Sequence, residues 1–77
     1  MNKQRRKWLQ DIIDALENQK QEIESLTMEE QEAFDNMPES LQDSERGQTM
    51  SDNIDNLESA TSDLEDVIMN LQEIIEN

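Results

Sequence analysis

The sequence predicts an all-α protein, an antiparallel helical hairpin that assembles into a homo-oligomeric helical bundle. Apolar residues recur at steps of three and four along both halves of the 77-residue chain, which is the period of an amphipathic helix. The only proline and the only glycine, Pro38 and Gly47, lie near the middle, where they favour a turn. We therefore expect one domain with helix 2–36, hinge 37–48 and helix 49–76.

The apolar positions of the first helix form a heptad seam. Its members are Leu9, Ile12, Leu16, Gln19, Ile23, Leu26, Glu30, Ala33 and Met37. Thr27 followed by Glu30 resembles a capping box that starts a new helix, but the seam continues in phase, so we expect one continuous helix. Trp8, Ile13, Ala15 and Phe34 widen the stripe, and we expect Trp8 to be buried in it.

The hinge contains its own start signals. Pro38 is suited to open a short turn of helix that carries Leu41 inward, and Gly47 lets the chain enter the second helix. Thr49, with Asp52 three residues later, is the predicted N-cap. The second seam runs through Met50, Ile54, Leu57, Thr61, Leu64, Ile68, Leu71 and Ile75, with a parallel column at Ala60, Val67 and Ile74.

Two amphipathic helices alone rarely bury enough apolar surface to be stable, so we expect self-association. The predicted oligomer seam consists of Leu9, Ile12, Leu16, Ile23, Leu26, Ile54, Leu57, Leu64, Ile68, Leu71 and Ile75. In an antiparallel dimer of hairpins, Arg5, Arg6 and Trp8 of one copy could approach Arg46 of the other.

The formal net charge of −14 is unevenly distributed. Residues 1–7 carry four cations and no acid, whereas only Lys20 and Arg46 are basic beyond them. Antiparallel arms place the basic N-terminus beside Glu73, Glu76 and the negative end of the second helix dipole; the same cluster is also a candidate anion site. The acidic remainder should repel nucleic acid and anionic membranes and favour basic partners, or simply keep a small bundle soluble.

The missing residue types argue against an enzyme. The chain has no histidine and no cysteine, which removes the commonest general base, the thiol nucleophile and the commonest metal ligands, so we expect no cofactor and no metal. No apolar run approaches the ~20 residues of a membrane span, and the basic N-terminus lacks the apolar segment of a secretory signal. We expect a cytoplasmic protein.

Paired carboxylates leave one enzymatic alternative. Glu29 with Glu32, and Asp63 with Asp66, resemble the acidic pairs of the all-α nucleotide pyrophosphohydrolases. In that family such pairs hold Mg²⁺ inside a four-helix bundle. The second pair departs from the family by beginning with Asp, and a hairpin turning near residue 43 separates the two pairs.

Two sets of side chains are candidates for binding. Arg5, Arg6, Arg46 and Trp8 could hold a phosphorylated, base-bearing ligand, because guanidinium groups bind phosphate and an indole stacks on a base. An acidic stripe on the second helix could imitate a nucleic-acid backbone and bind a host protein that normally binds DNA or RNA. We define the acidic stripe as Asp52, Asp55, Glu58, Asp63, Asp66 and Glu73.

Three phrases of the sequence, residues 2–7, 29–36 and 38–47, resemble a family of short acidic helical proteins of Gram-positive bacteria, their phages and mobile elements. That family has no settled function, and the resemblance implies a setting in which small oligomeric proteins counter host defence. We therefore expect a non-enzymatic binding protein, phage or mobile-element encoded. It would interfere with host defence or regulation through a protein partner, or by sequestering a phosphorylated ligand.

Overall fold

The computed structural model describes all residues, 1–77, and is an all-helical hairpin. Helix α1 spans Lys3–Asp35, a short helix α2 spans Glu39–Gln42, and helix α3 spans Glu45–Glu76. Helices α1 and α3 lie side by side and antiparallel, in a rod of 58 × 15 × 13 Å. None of the three helices has the length and apolar character needed to cross a bilayer.

Helix α1 is continuous over its whole length. The side chain of Asn2 accepts a hydrogen bond from the backbone N–H of Arg5 and caps the helix. Thr27 does not start a new helix, because its hydroxyl donates to the carbonyl of Ile23 one turn earlier. Such a bond satisfies the hydroxyl inside a helix.

The stripe of α1 that packs against α3 differs by one position from the predicted seam. Leu9, Leu16 and Ile23 are half-buried as expected, but Ile12 and Leu26 are exposed. The positions that contact α3 in their place are Ile13, Lys20, Thr27 and Phe34, which are buried or half-buried. The helix is therefore rotated so that Ile13, which is 1% exposed, takes the inner position.

Helix α3 packs along the seam that its sequence predicts. Ile54 and Ile68 are buried, and the remaining seam positions are half-buried: Met50, Leu57, Thr61, Leu64, Leu71 and Ile75. The parallel column of Ala60, Val67 and Ile74 is exposed. Ile13, Ile54 and Ile68 are thus the only buried apolar side chains of the hairpin.

The hinge is more compact than the sequence predicts, since α3 begins at Glu45 rather than at residue 49. Ser44 is the N-cap, and its hydroxyl oxygen accepts a hydrogen bond from the backbone N–H of Gly47 at 3.2 Å. Thr49 is an interior helix residue that donates to the carbonyl of Glu45. Leu41 is 48% exposed instead of turning inward, because α2 is only one turn long and its contacts with α3 involve its backbone.

Candidate binding surfaces

The acidic stripe lies on the exposed surface of α3, and its Glu58 borders a groove between α3 and α1. All six of its carboxylates are exposed, and none takes part in the ion pairs or side-chain hydrogen bonds of the hairpin. From Asp52 to Glu73 the stripe extends about 32 Å at 1.5 Å per residue. These carboxylates are therefore free to meet a partner.

The two open sides of the hairpin, between α1 and α3, differ in chemistry. On one side Lys20 bridges the helices through Glu65 at 3.7 Å, and Glu24, Met28 and Glu58 border a groove beside it. On the other side Leu26 and Glu30 share a groove with Asn53 and Leu57. Residues at seven-residue intervals from Leu26 on α1 and from Asn53 on α3 lie on this same side along the two helices.

A strip of positions on the second side carries no acid, although 20 of the 77 residues are Asp or Glu, and Glu30 lines the groove beside it. We call this strip the acid-free face, and every member is exposed: Arg5, Ile12, Gln19, Leu26 and Ala33 on α1, with Arg46, Asn53, Ala60, Val67 and Ile74 on α3. Four of its large apolar side chains, those of Ile12, Leu26, Val67 and Ile74, are between 40% and 51% exposed. The face is an apolar strip with one arginine towards each end.

The four candidate ligand-binding residues do not meet within one chain. Arg5 and Trp8 line a mostly apolar groove with Met1, Leu9 and Ile12 at the end of the hairpin that holds both termini, whereas Arg46 lies at the hinge end of the 58 Å rod. Trp8 is 68% exposed rather than buried, because the packed stripe passes through Leu9 and Ile13.

Arg6 has a structural partner. Its Nη1 donates to the carbonyl oxygen of Ile75 at 3.3 Å, and its Nε donates to the carbonyl oxygen of Met1 at 3.3 Å. The first bond places a cation at the carboxyl end of α3, where the helix dipole is negative. The expected pairing of the basic N-terminus with α3 is thus made through a backbone carbonyl, and no ion pair forms with Glu73 or Glu76.

The carboxylate pairs of the enzymatic alternative stay apart. The Lys20–Glu65 contact fixes the antiparallel register and places Asp63 beside residues 21–22 of α1. Glu29 lies about two helical turns further towards the hinge. No group of three or more Asp and Glu side chains has an arrangement that could hold a metal ion, so these pairs do not form the two-helix site of the pyrophosphohydrolases.

Sequence reasoning missed the acid-free face as a unit. The sequence shows the column of Ala60, Val67 and Ile74, but the period of α1 places its neighbour, the column of Ile12 and Leu26, in the predicted inner seam. The absence of acids from two columns with a seven-residue period was the signal that could have found it.

Comparison with known proteins gives no relative for this chain. No protein-family model matches it, and neither the characterised proteins nor the solved structures include a significant match.

Proposed function

We propose that the protein is a non-enzymatic binding protein that presents the acidic stripe of α3 to a basic protein partner. The observation that carries this proposal is that all six carboxylates of the stripe are exposed and unpaired along one helix. A cation-lined surface on a partner gains six neutralising contacts without displacing an existing ion pair. The resemblance to phage and mobile-element proteins makes a host protein the expected target.

The charge density of the rod favours a partner that normally binds nucleic acid. Fourteen net negative charges over 58 Å correspond to one charge per about 4 Å, close to the ~3.4 Å between phosphates along one strand of B-DNA. Mimicry of a nucleic-acid backbone is therefore the specific form of partner binding that we favour. Its affinity should fall as salt screens the charges.

Sequestration of a phosphorylated ligand receives less support. Arg6 is engaged with Ile75, and Arg46 is at the opposite end of the rod from Arg5. A ligand pocket from these residues needs a second copy of the chain.

Affinity enrichment with matched variants tests the proposal. The immobilised protein is exposed to nuclease-treated lysate of a Gram-positive bacterium, beside two variants that each lose six carboxylates by Asp→Asn and Glu→Gln replacement. One variant neutralises the acidic stripe. The control neutralises six exposed acids elsewhere: Asp14, Glu22, Glu29, Glu32, Glu39 and Asp43.

We expect a basic protein to be retained by the wild type and the control but not by the stripe variant, and to be released between 50 and 300 mM NaCl. Displacement of duplex DNA from the purified partner then identifies mimicry. Equal retention by all three proteins, or retention that is insensitive to salt, would contradict the proposal.

A further inference from the structure

We infer that a second copy of this chain covers the acid-free face in antiparallel orientation, forming a four-helix bundle in which the terminal end of each hairpin lies over the hinge end of the other. This dimer is independent of the proposed function, because the acidic stripe and the acid-free face are different surfaces of α3.

The hairpin alone leaves much of its apolar surface in water. Only three apolar side chains are buried between α1 and α3, which is a small core for 77 residues. The acid-free face keeps Ile12, Leu26, Val67 and Ile74 about half exposed in a single strip. Covering a strip of this kind is the main source of stability for a bundle built from two hairpins.

Charge selects a second copy as the occupant. Two chains of net charge −14 repel each other wherever acids face acids. The positions of the acid-free face bring no carboxylate of their own into a contact between two copies, and Glu30 beside them lies near Arg5 of the second copy when the two chains are antiparallel. A two-fold axis makes an interface of one patch with itself, so a face that is apolar and free of acid is self-complementary.

The charges at the two ends select the antiparallel orientation. At the terminal end, residues 1–7 carry four cations and residues 71–77 carry two acids, for a net side-chain charge of +2. At the hinge end, residues 32–48 carry five acids and Arg46, for a net charge of −4. In an antiparallel pair, a terminal end of charge +2 lies beside a hinge end of charge −4 at both ends of the bundle. In a parallel pair, two hinge ends of charge −4 lie side by side at one end.

The face residues match in this orientation. A two-fold axis through the middle of the rod, near Gln19, lays α1 on α1 and α3 on α3. The Lys20–Glu65 contact places Gln19 beside Asp66, so Ile12 lies opposite Leu26 of the second copy, and Val67, close to the axis, lies near Val67 of the second copy. Arg5 comes near the acids around residues 29–32 of the second copy. Arg5 of the face therefore meets acidic surroundings.

Dimerisation would also raise the density of negative charge along the rod. Two copies in the same 58 Å carry 28 net negative charges, or one per about 2 Å, which approaches the ~1.7 Å of duplex DNA.

Spin labels at two positions test the inference. The chain has no cysteine, so Gln19→Cys and Gln4→Cys each introduce one label site, and both glutamines are exposed. The antiparallel dimer predicts a short distance between the Gln19 labels, since they sit near the two-fold axis. It predicts about 45 Å between the Gln4 labels, which lie 15 residues from the axis on opposite sides.

A parallel dimer gives instead a Gln4 distance of at most about 30 Å, twice the 15 Å width of the hairpin, and would overturn the orientation. If neither label position gives an intermolecular distance at 100 µM protein, the chain does not form a dimer and the inference fails. In the Gln19-labelled protein, Val67→Glu should abolish the short distance and Met69→Glu, outside the face, should preserve it. The acidic stripe is intact in every labelled protein, so the result of the partner-enrichment experiment does not depend on the result of the distance measurement.

Discussion

A Cβ atom on Gly47 would clash with the backbone carbonyl oxygen of Gln42. The glycine is the point at which α3 crosses against the backbone of α2, and its φ is not positive. Its role is therefore the close approach of two backbones rather than an unusual conformation. The hinge is compact because one residue has no side chain.

Gly47→Ala should destabilise the hairpin by about 1–3 kcal/mol, the usual cost of overpacking. Alanine normally favours a helix by about 1 kcal/mol over glycine, but here the new methyl group meets backbone atoms of Leu41 and Gln42 that cannot rotate away. Urea unfolding followed by circular dichroism measures the change. Gln48→Ala, at an exposed helical position, is the control and should change stability little. A Gly47→Ala variant more stable than the wild type would contradict this account of the hinge.

Ser44→Ala should cost about 1 kcal/mol of unfolding free energy, because it removes the N-cap of α3. Thr49→Ala should cost less or stabilise, since Thr49 is inside the helix and its hydroxyl only doubles a backbone bond. Parallel urea titrations of the two variants compare the caps directly. A larger loss of unfolding free energy for Thr49→Ala than for Ser44→Ala would show that the helix begins at residue 49.

Gln42→Glu should loosen the junction of α1 with the hinge. The Gln42 amide donates to the carbonyls of Phe34 at 2.9 Å and Met37 at 3.2 Å, and an isosteric carboxylate cannot donate to either. Each lost bond is worth about 0.5–1.5 kcal/mol. Amide hydrogen exchange should accelerate for residues 34–44 and stay unchanged for residues 10–20. Uniform exchange across both segments would show that Gln42 does not hold this junction.

Arg6→Gln should fray the terminal end of the hairpin. The variant loses the donation to the Ile75 carbonyl and the cation at the carboxyl end of α3. Exchange of the amides of residues 70–76 should increase several-fold. The control, Arg5→Gln, changes an exposed side chain that has no such contact, and in dilute protein it should leave these amides unchanged. Equal effects of the two substitutions would assign the change to net charge alone.

The neighbours Ile12 and Ile13 show how far the sequence predicts this fold. Steps of three and four connect Leu9 to Leu16 through either residue, so periodicity alone supports two seams. Hydrophobicity favours the column through Ile12 and Leu26, because the other column contains Lys20 and Thr27. Half-buried positions nevertheless accept a lysine whose stem is apolar and a threonine bonded to its own helix.

The hinge shows the same limit at shorter range. Ser44 and Thr49 are both acceptable caps by residue type, and the choice depends on the contact of Gly47 with Gln42, which joins two elements. The helical class and the inner seam of α3 follow from period alone. The acid-free face does not, because it becomes one surface only after α1 and α3 are paired in register.

We infer that a second copy covers one face of the hairpin and that the acidic remainder stays in solvent. Sedimentation equilibrium of wild type, Val67→Glu and Met69→Glu at 100 µM tests it most directly, because both residues are exposed on α3, 46% and 55%, and only Val67 belongs to the acid-free face. We predict a mass of about 18 kDa for the wild type and Met69→Glu, twice the 9.0 kDa chain, and 9.0 kDa for a helical Val67→Glu. A wild-type mass of 9.0 kDa, or equal masses for the two variants, would contradict the account.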